Sequence, residues 1–150
     1  MSWWDTGEGD DVIGDRPADL LTSALTGLAE WRERTHGERP SLAGLLAGLG
    51  ALLSEAGRTV VVTAETAAGP VRGEGDAARA EGETLLPILR EALEKVAAAY
   101  QERWERDPRP SEVAHVVAFV LGPAPERYLR AQDARGLELT GLRAQIGAAE

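Results

Sequence analysis

Between Leu85 and Trp104 an apolar residue recurs at every third or fourth position. Leu85, Leu89, Leu93, Val96, Tyr100 and Trp104 fall on one helical face, and Leu86, Ala92 and Ala97 widen the stripe. The opposite face carries Arg90, Glu91, Glu94, Lys95, Glu102, Arg103 and Arg106. Glu91–Lys95 and Glu102–Arg106 are acid-before-base pairs one turn apart, worth a few tenths of a kcal/mol each. Thr84 suits the N-cap, which puts Pro87 in the first turn, where its missing N–H costs nothing. Asp107-Pro108-Arg109-Pro110 ends the pattern, because a residue before proline is pushed out of the helical region. A helix over 84–106 spans roughly 35 Å. One neighbour cannot cover so long a stripe. The spacing therefore predicts a mainly α fold, with about five helices packed around a long central helix at 84–106.

The other segments supply the cover. Asp15-Arg16-Pro17 opens a helix with a cap, a first-turn proline and Asp19 at the positive end of the dipole. Leu21, Leu25, Leu28 and Trp31 or Arg32 form its inner face, and the run from Thr35 to Pro40 breaks it. Ser41 caps a second helix, in which Leu42, Leu45, Leu46, Leu49, Leu52 and Leu53 make a leucine stripe. Ala43, Gly44, Ala47, Gly48 and Ala51 make a second face of small residues. Glycine costs about 1 kcal/mol against alanine inside a helix, so Gly44, Gly48 and Gly50 imply that another backbone comes close. Gly57 sits where a helix ends in the left-handed conformation.

Thr59-Val60-Val61-Val62-Thr63 is β-branched throughout and reads as a strand. It needs a partner: Gly69 to Arg72 in a hairpin, giving a small two-stranded element near 59–72, or Leu137-Glu138-Leu139-Thr140. The hairpin is favoured. Residues 67–82, rich in glycine, alanine and charge, read as a mobile loop. Ser111 caps a helix through Leu121 with Val113, Val116, Val117, Val120 and Leu121 inward. Pro125 opens a last helix to about Arg135, and residues 136–150 read as a weakly ordered tail. Trp31 to Ser41 and Trp104 to Ser111 echo one another as helix, proline turn and serine-capped helix, which is shared turn chemistry.

At 150 residues without cysteine, the chain fits one helical domain with no disulfide and no thiolate metal site. The longest apolar run, Leu42 to Leu53, is too short to span a bilayer. A net charge of -9 disfavours nucleic acid and anionic membranes and permits a basic partner; the plain alternative is an acidic surface that only keeps the protein soluble. High Ala, Gly, Arg, Leu and Glu with little Lys fit a high-GC bacterial genome, and the absence of cysteine fits a protein of the cytoplasm.

Two stretches carry candidate chemistry, both in the irregular segment 1–15. Asp5, Asp10, Asp11 and Asp15 are closely spaced among glycines, a pattern able to wrap a divalent cation that wants oxygen ligands. Gly7 to Ile13 also resembles one unit of the stacked nonapeptide calcium repeats, present here in a single copy. The plain alternative is a polar turn and helix cap. Trp3 and Trp4 are either a lid on the helices or a partner-binding hot spot. His36 reads as an exposed turn residue and His115 as a buried histidine. No nucleophile, P-loop or dinucleotide motif is present. Read as a DNA-recognition helix, 110–121 would expose Glu112, His115 and Ala118, and lacks there the Arg, Lys, Asn or Gln that read base edges.

These observations favour a non-enzymatic protein–protein interaction module, such as an adaptor, immunity protein or assembly subunit, with no cofactor; a homo-oligomer is compatible. The alternative is a metal-dependent hydrolase or metal-binding domain built on the acidic stretch.

Overall fold

The computed structural model describes residues 15–122, 139 and 141–148. The elements run α1 (Asp15–His36), α2 (Leu42–Leu53), a 3-10 turn (Ser54–Ala56), β1 (Arg58–Thr66), β2 (Gly69–Arg72), α3 (Asp76–Trp104), α4 (Pro110–Leu121) and β3 (Gly141–Ala148). Among the described residues the protein is mainly helical, with four helices and one three-stranded antiparallel sheet of order β2-β1-β3. The helix predicted from Pro125 lies outside the described residues.

The long helix is continuous, but it begins at Asp76 rather than Thr84. Gly75 is its extended N-cap residue, and Asp76 complements the positive end of the dipole. Pro87 therefore lies inside the helix, where the Glu83 carbonyl loses its usual main-chain donor. Thr84 is not a cap. Its hydroxyl donates to the Glu81 carbonyl at 2.6 Å and accepts from Arg32 at 3.2 Å. The span 67–82, expected to be a mobile loop, instead holds β2 and the first turns of α3.

The most enclosed helix is α2, not α3. Every α2 residue except Ala51 is buried or half-buried, whereas α3 keeps one side in solvent. A helix that is apolar all round must lie inside, and α2 is packed between α3 and β1. Its small-residue face is where the backbones meet. A Cβ on Gly82 of α3 would stand 2.8 Å from the Gly48 nitrogen, and one on Gly48 would stand 2.6 Å from Leu89 Cδ1. A Cβ on Gly73 would fall 2.2 Å from the Ala47 nitrogen. Gly44 lies beside Glu81 and Gly48 beside Leu89, so α2 and α3 run in the same direction. α1 runs opposite to α3, with Arg16 near Glu102 and Arg32 near Glu81. α4 fills the space between α1 and β3.

β1 acquires partners on both edges. Thr63–Thr66 pairs with Arg72–Gly69 in the expected hairpin, and Arg58–Glu65 pairs with Ala148–Gly141. The second partner begins at Gly141, beyond the 137–140 segment considered from sequence. The tail expected to be weakly ordered thus contains a strand. Its alternation of Leu142, Ala144 and Ile146 with Arg143 and Gln145 has the strand period, but glycine and alanine dilute the signal. Val60, Val62 and Ala64 turn into a core shared with Leu45, Leu49, Leu85, Leu89, Val96, Tyr100, Val116, Val117 and Leu121.

Ser41 caps α2 as expected, accepting the Gly44 N–H at 3.1 Å. The echoing Ser111 does not cap α4. That helix starts one residue earlier, at Pro110, and Arg109 is its cap residue.

Candidate interaction groove

Where α2 ends, α3 passes and the proline turn folds back, the surface holds an open apolar hollow of about 350 Å³. Leu52, Leu53, Leu93, Pro108, Pro110 and Val113 line it, with Glu55 at the rim. Each element contributes for a local reason. The leucine stripe of α2 runs out at Leu53, and a 3-10 turn closing on Gly57 (φ 87°) sends the chain away. Leu93 lies on the flank of the α3 stripe and is only half-buried. Pro108 keeps the turn out of helix and Pro110 opens α4 at its first position, where proline is tolerated, so the two rings form the wall. Glu55 is held by Arg90 at 3.0 Å, an exposed pair worth well under 1 kcal/mol that frames the hollow.

The proline wall is clasped from behind. After α3 the chain turns through Glu105 in the left-handed region (φ 58°), a conformation non-glycine residues seldom adopt. Arg106 then grips Glu112 with two parallel hydrogen bonds of 2.7 and 2.5 Å, and the Arg109 N–H donates to the same carboxylate at 2.9 Å. Gln101 donates to Asp107 at 2.9 Å. Glu112 is only 6 % exposed. Burial alone would raise its pKa, but hydrogen bonds from Arg106 and the Arg109 backbone, with both positive charges, outweigh it and hold the carboxyl below its ordinary value. The Glu112 hydrogen bond raises the Arg106 guanidinium in turn. Burial, reinforced by the Glu112 charge, pushes the Tyr100 phenol far above its ordinary value. Burial lowers the His115 imidazole, against the pull of Glu112. The clasp is therefore an ionised Arg–Glu pair whose charge is felt by a neutral phenol and a weakly basic imidazole. Tyr100 also packs against Trp104, the rings tilted by 37° with centroids 4.9 Å apart.

A second polar junction ties α1, α2 and α3 together. Glu81 accepts from the Ser41 N–H at 2.9 Å and from the Ser41 hydroxyl, and Arg32 lies 3.8 Å away. A carboxylate suits this place because it faces the positive end of α2. Sequence reasoning missed this junction: Glu81 fell in the supposed loop, and only a 40-residue separation closes it onto Ser41.

A narrower slot of about 210 Å³ lies between α2 and the edge of β1, lined by Ala47, Gly50, Ala51, Ser54 and Thr59 to Val62 among others. Ser54 stands where a further strand residue would. Its hydroxyl accepts the Val60 N–H at 2.9 Å and donates to the Val60 carbonyl at 3.4 Å.

Trp3, Trp4, Asp5, Asp10 and Asp11 lie outside the described residues. Asp15 is the first residue of α1. Among the described residues no group of three or more His, Asp or Glu side chains could hold a metal ion. His36 is exposed, bonded to Thr35 at 2.8 Å and edge-on to Trp31. Glu112, taken from sequence as an exposed position of α4, is buried in the clasp, and every residue from Pro110 to Gly122 is buried or half-buried. No described helix is long and apolar enough to cross a membrane. Comparison with known protein families, with curated proteins and with solved structures finds no match.

Proposed function

We propose that this chain is a non-enzymatic protein–protein interaction module of the bacterial cytosol, and that the hollow at the α2–α3–α4 junction receives an apolar side chain of its partner. One observation carries this reading: Leu93, Pro108 and Pro110 stay partly in water around a leucine and valine floor. Concave apolar sites with a charged rim are where anchoring residues bind. The clasp of Arg106 on Glu112 supports it further, because it fixes the proline wall before any partner arrives and so reduces the ordering cost of binding. The net charge of -9 favours a partner with basic residues around its apolar anchor. An adaptor, an immunity protein and an assembly subunit all fit this description.

The test is a pull-down from the native cell with the wild-type chain and with Leu93→Asp, a substitution at a half-buried position. The reading expects a partner that the wild type retains and the variant loses while keeping the same helical circular dichroism. A partner held equally by both would remove the hollow from the interface.

A further inference from the structure

We propose that β3 is a dimerisation strand: two copies of the chain join edge to edge through Gly141–Ala148, antiparallel about a twofold axis at Ala144, to make one six-stranded sheet. This rests on the sheet and is independent of the groove.

The pairing of β3 with β1 is unbroken over eight positions, from Arg58↔Ala148 to Glu65↔Gly141. No bulge interrupts it. Among the described residues nothing pairs with the other edge of β3. Ser54 fixes which main-chain groups point there. It binds both the N–H and the carbonyl of Val60, so those groups face away from β3. Alternation along an antiparallel pair then turns Thr59, Val61, Thr63 and Glu65 toward β3, bonded to Gly147, Gln145, Arg143 and Gly141. The N–H and carbonyl groups of Leu142, Ala144 and Ile146 consequently point outward.

Edge strands that must stay single carry proline, lysine, a bulge or an inward charge. β3 has none of these. Its one charge, Arg143, lies on the outer face and is engaged by Glu65 at 3.2 Å. The side chains facing the helices complete the case. Val60, Val62 and Ala64 on β1 are 4 %, 3 % and 1 % exposed. Their cross-strand neighbours Ile146, Ala144 and Leu142 share that face but are only half-buried. The core thus ends in a row of apolar side chains with one flank still wet.

A second copy matches this edge in register and in charge. With the axis at Ala144, Leu142 faces Ile146 of the partner subunit and Ala144 faces Ala144 of the partner subunit, so the apolar rows become continuous. The same axis sets the outward N–H and carbonyl groups of these residues opposite one another, and it places Arg143 against Gln145 of the partner subunit, so no like charges meet. An axis at Arg143 would oppose two arginines, which is unfavourable. The remaining opposition is the net charge of -9 on each copy, which salt screens.

Sedimentation across a concentration series, at low and at moderate salt, tests the proposal together with residue-resolved amide exchange. The expected species has twice the 16.0 kDa chain mass and is favoured by salt. The amides of Leu142, Ala144 and Ile146 become protected as the dimer forms, while those of Arg143 and Gln145 are protected at every concentration. Ala144→Pro removes an outward donor without touching a bond to β1 and should return the chain to monomer. If that variant does not fold, the wild-type exchange pattern decides alone. A monomer at all concentrations, a dimer that leaves those three amides fast, or protection of them that persists on dilution each overturns the proposal. The first outcome leaves the edge to a strand of another protein, and the last assigns it to the chain itself.

Discussion

Replacing Gly82 by alanine sets two effects of opposite sign against each other. On helix propensity alone the change should stabilise by about 1 kcal/mol, since glycine is that much worse than alanine inside a helix. The packing argues the other way. A methyl group at Gly82 would lie 2.8 Å from the Gly48 nitrogen, 3.1 Å from the Gly44 carbonyl oxygen and 3.2 Å from Ala47 Cβ. The first two are backbone atoms, which cannot rotate aside, so α2 and α3 must part. Overpacking of this kind costs about 1–3 kcal/mol. Because backbone is met rather than a pliable side chain, the upper half of that range applies, and the net loss is about 1–2 kcal/mol. Gly27 provides the control. It is an exposed glycine inside α1, and a methyl group there meets nothing within 4 Å. Gly27→Ala should gain about 0.5–1 kcal/mol. For a chain of this size each kcal/mol moves the Tm by about 2–4 °C, so the two variants should melt on opposite sides of the wild type. Urea unfolding followed by circular dichroism gives the free energies, with an unchanged m-value as the check that the end states are comparable. If Gly82→Ala stabilises as Gly27→Ala does, the close approach of the two helices is wrong.

Glu112→Gln should cost about 1–3 kcal/mol at neutral pH, because it leaves the Arg106 and Arg109 donors facing a weaker acceptor in a buried place. The folded Glu112 titrates below its ordinary value, so its contribution is complete above that value and disappears as pH falls through the lowered one. Urea midpoints of wild type and variant should therefore converge only at acidic pH, below about 4.3; convergence near neutrality would contradict the ionised clasp. Ser54→Ala removes the acceptor of the Val60 N–H, with an expected loss of about 1 kcal/mol and faster exchange of that one amide. Millimolar Ca²⁺, Mg²⁺ or Mn²⁺ should leave the melting temperature unchanged if the chain is an interaction module, whereas a rise abolished by Asp10→Asn and Asp11→Asn would favour cation binding at the acidic stretch.

The helices were legible wherever their signals were local. Ser41 before the leucine stripe and Gly57 after it predict the ends of the α2 region closely, and the stripe from Leu85 to Trp104 is the buried side of α3. The small-residue face of α2 correctly announced a close neighbour. The same residue type misled at 67–82. There Gly73 and Gly82 read as looseness, but they are the other half of that contact, and glycine in one dimension does not say which. Thr84 and Pro87 together imitated a helix start, because a cap-like residue three positions before a proline looks the same in sequence whether or not a turn precedes it. β3 was missed because its period of two is carried by Leu142 and Ile146 alone, with alanine between. Burial of Glu112 could not be read from a helix with charged flanks, since the guanidinium that neutralises it comes from the preceding turn. The hollow at the proline wall needs α2, α3 and α4 together, and no window of sequence contains all three.

The order of the sheet also has a consequence for biosynthesis. At about 5–20 residues per second, the ribosome delivers Gly141 several seconds after Thr66. Throughout that interval, among the described strands, the nine-residue β1 has only the four-residue β2 beside it, and the edge that β3 later pairs lies open. Nascent chains crowded on one message therefore expose the same sticky ribbon at the same time. A product cut short before Gly141 would keep it exposed for good and should be lost to aggregation rather than accumulate as a smaller folded species.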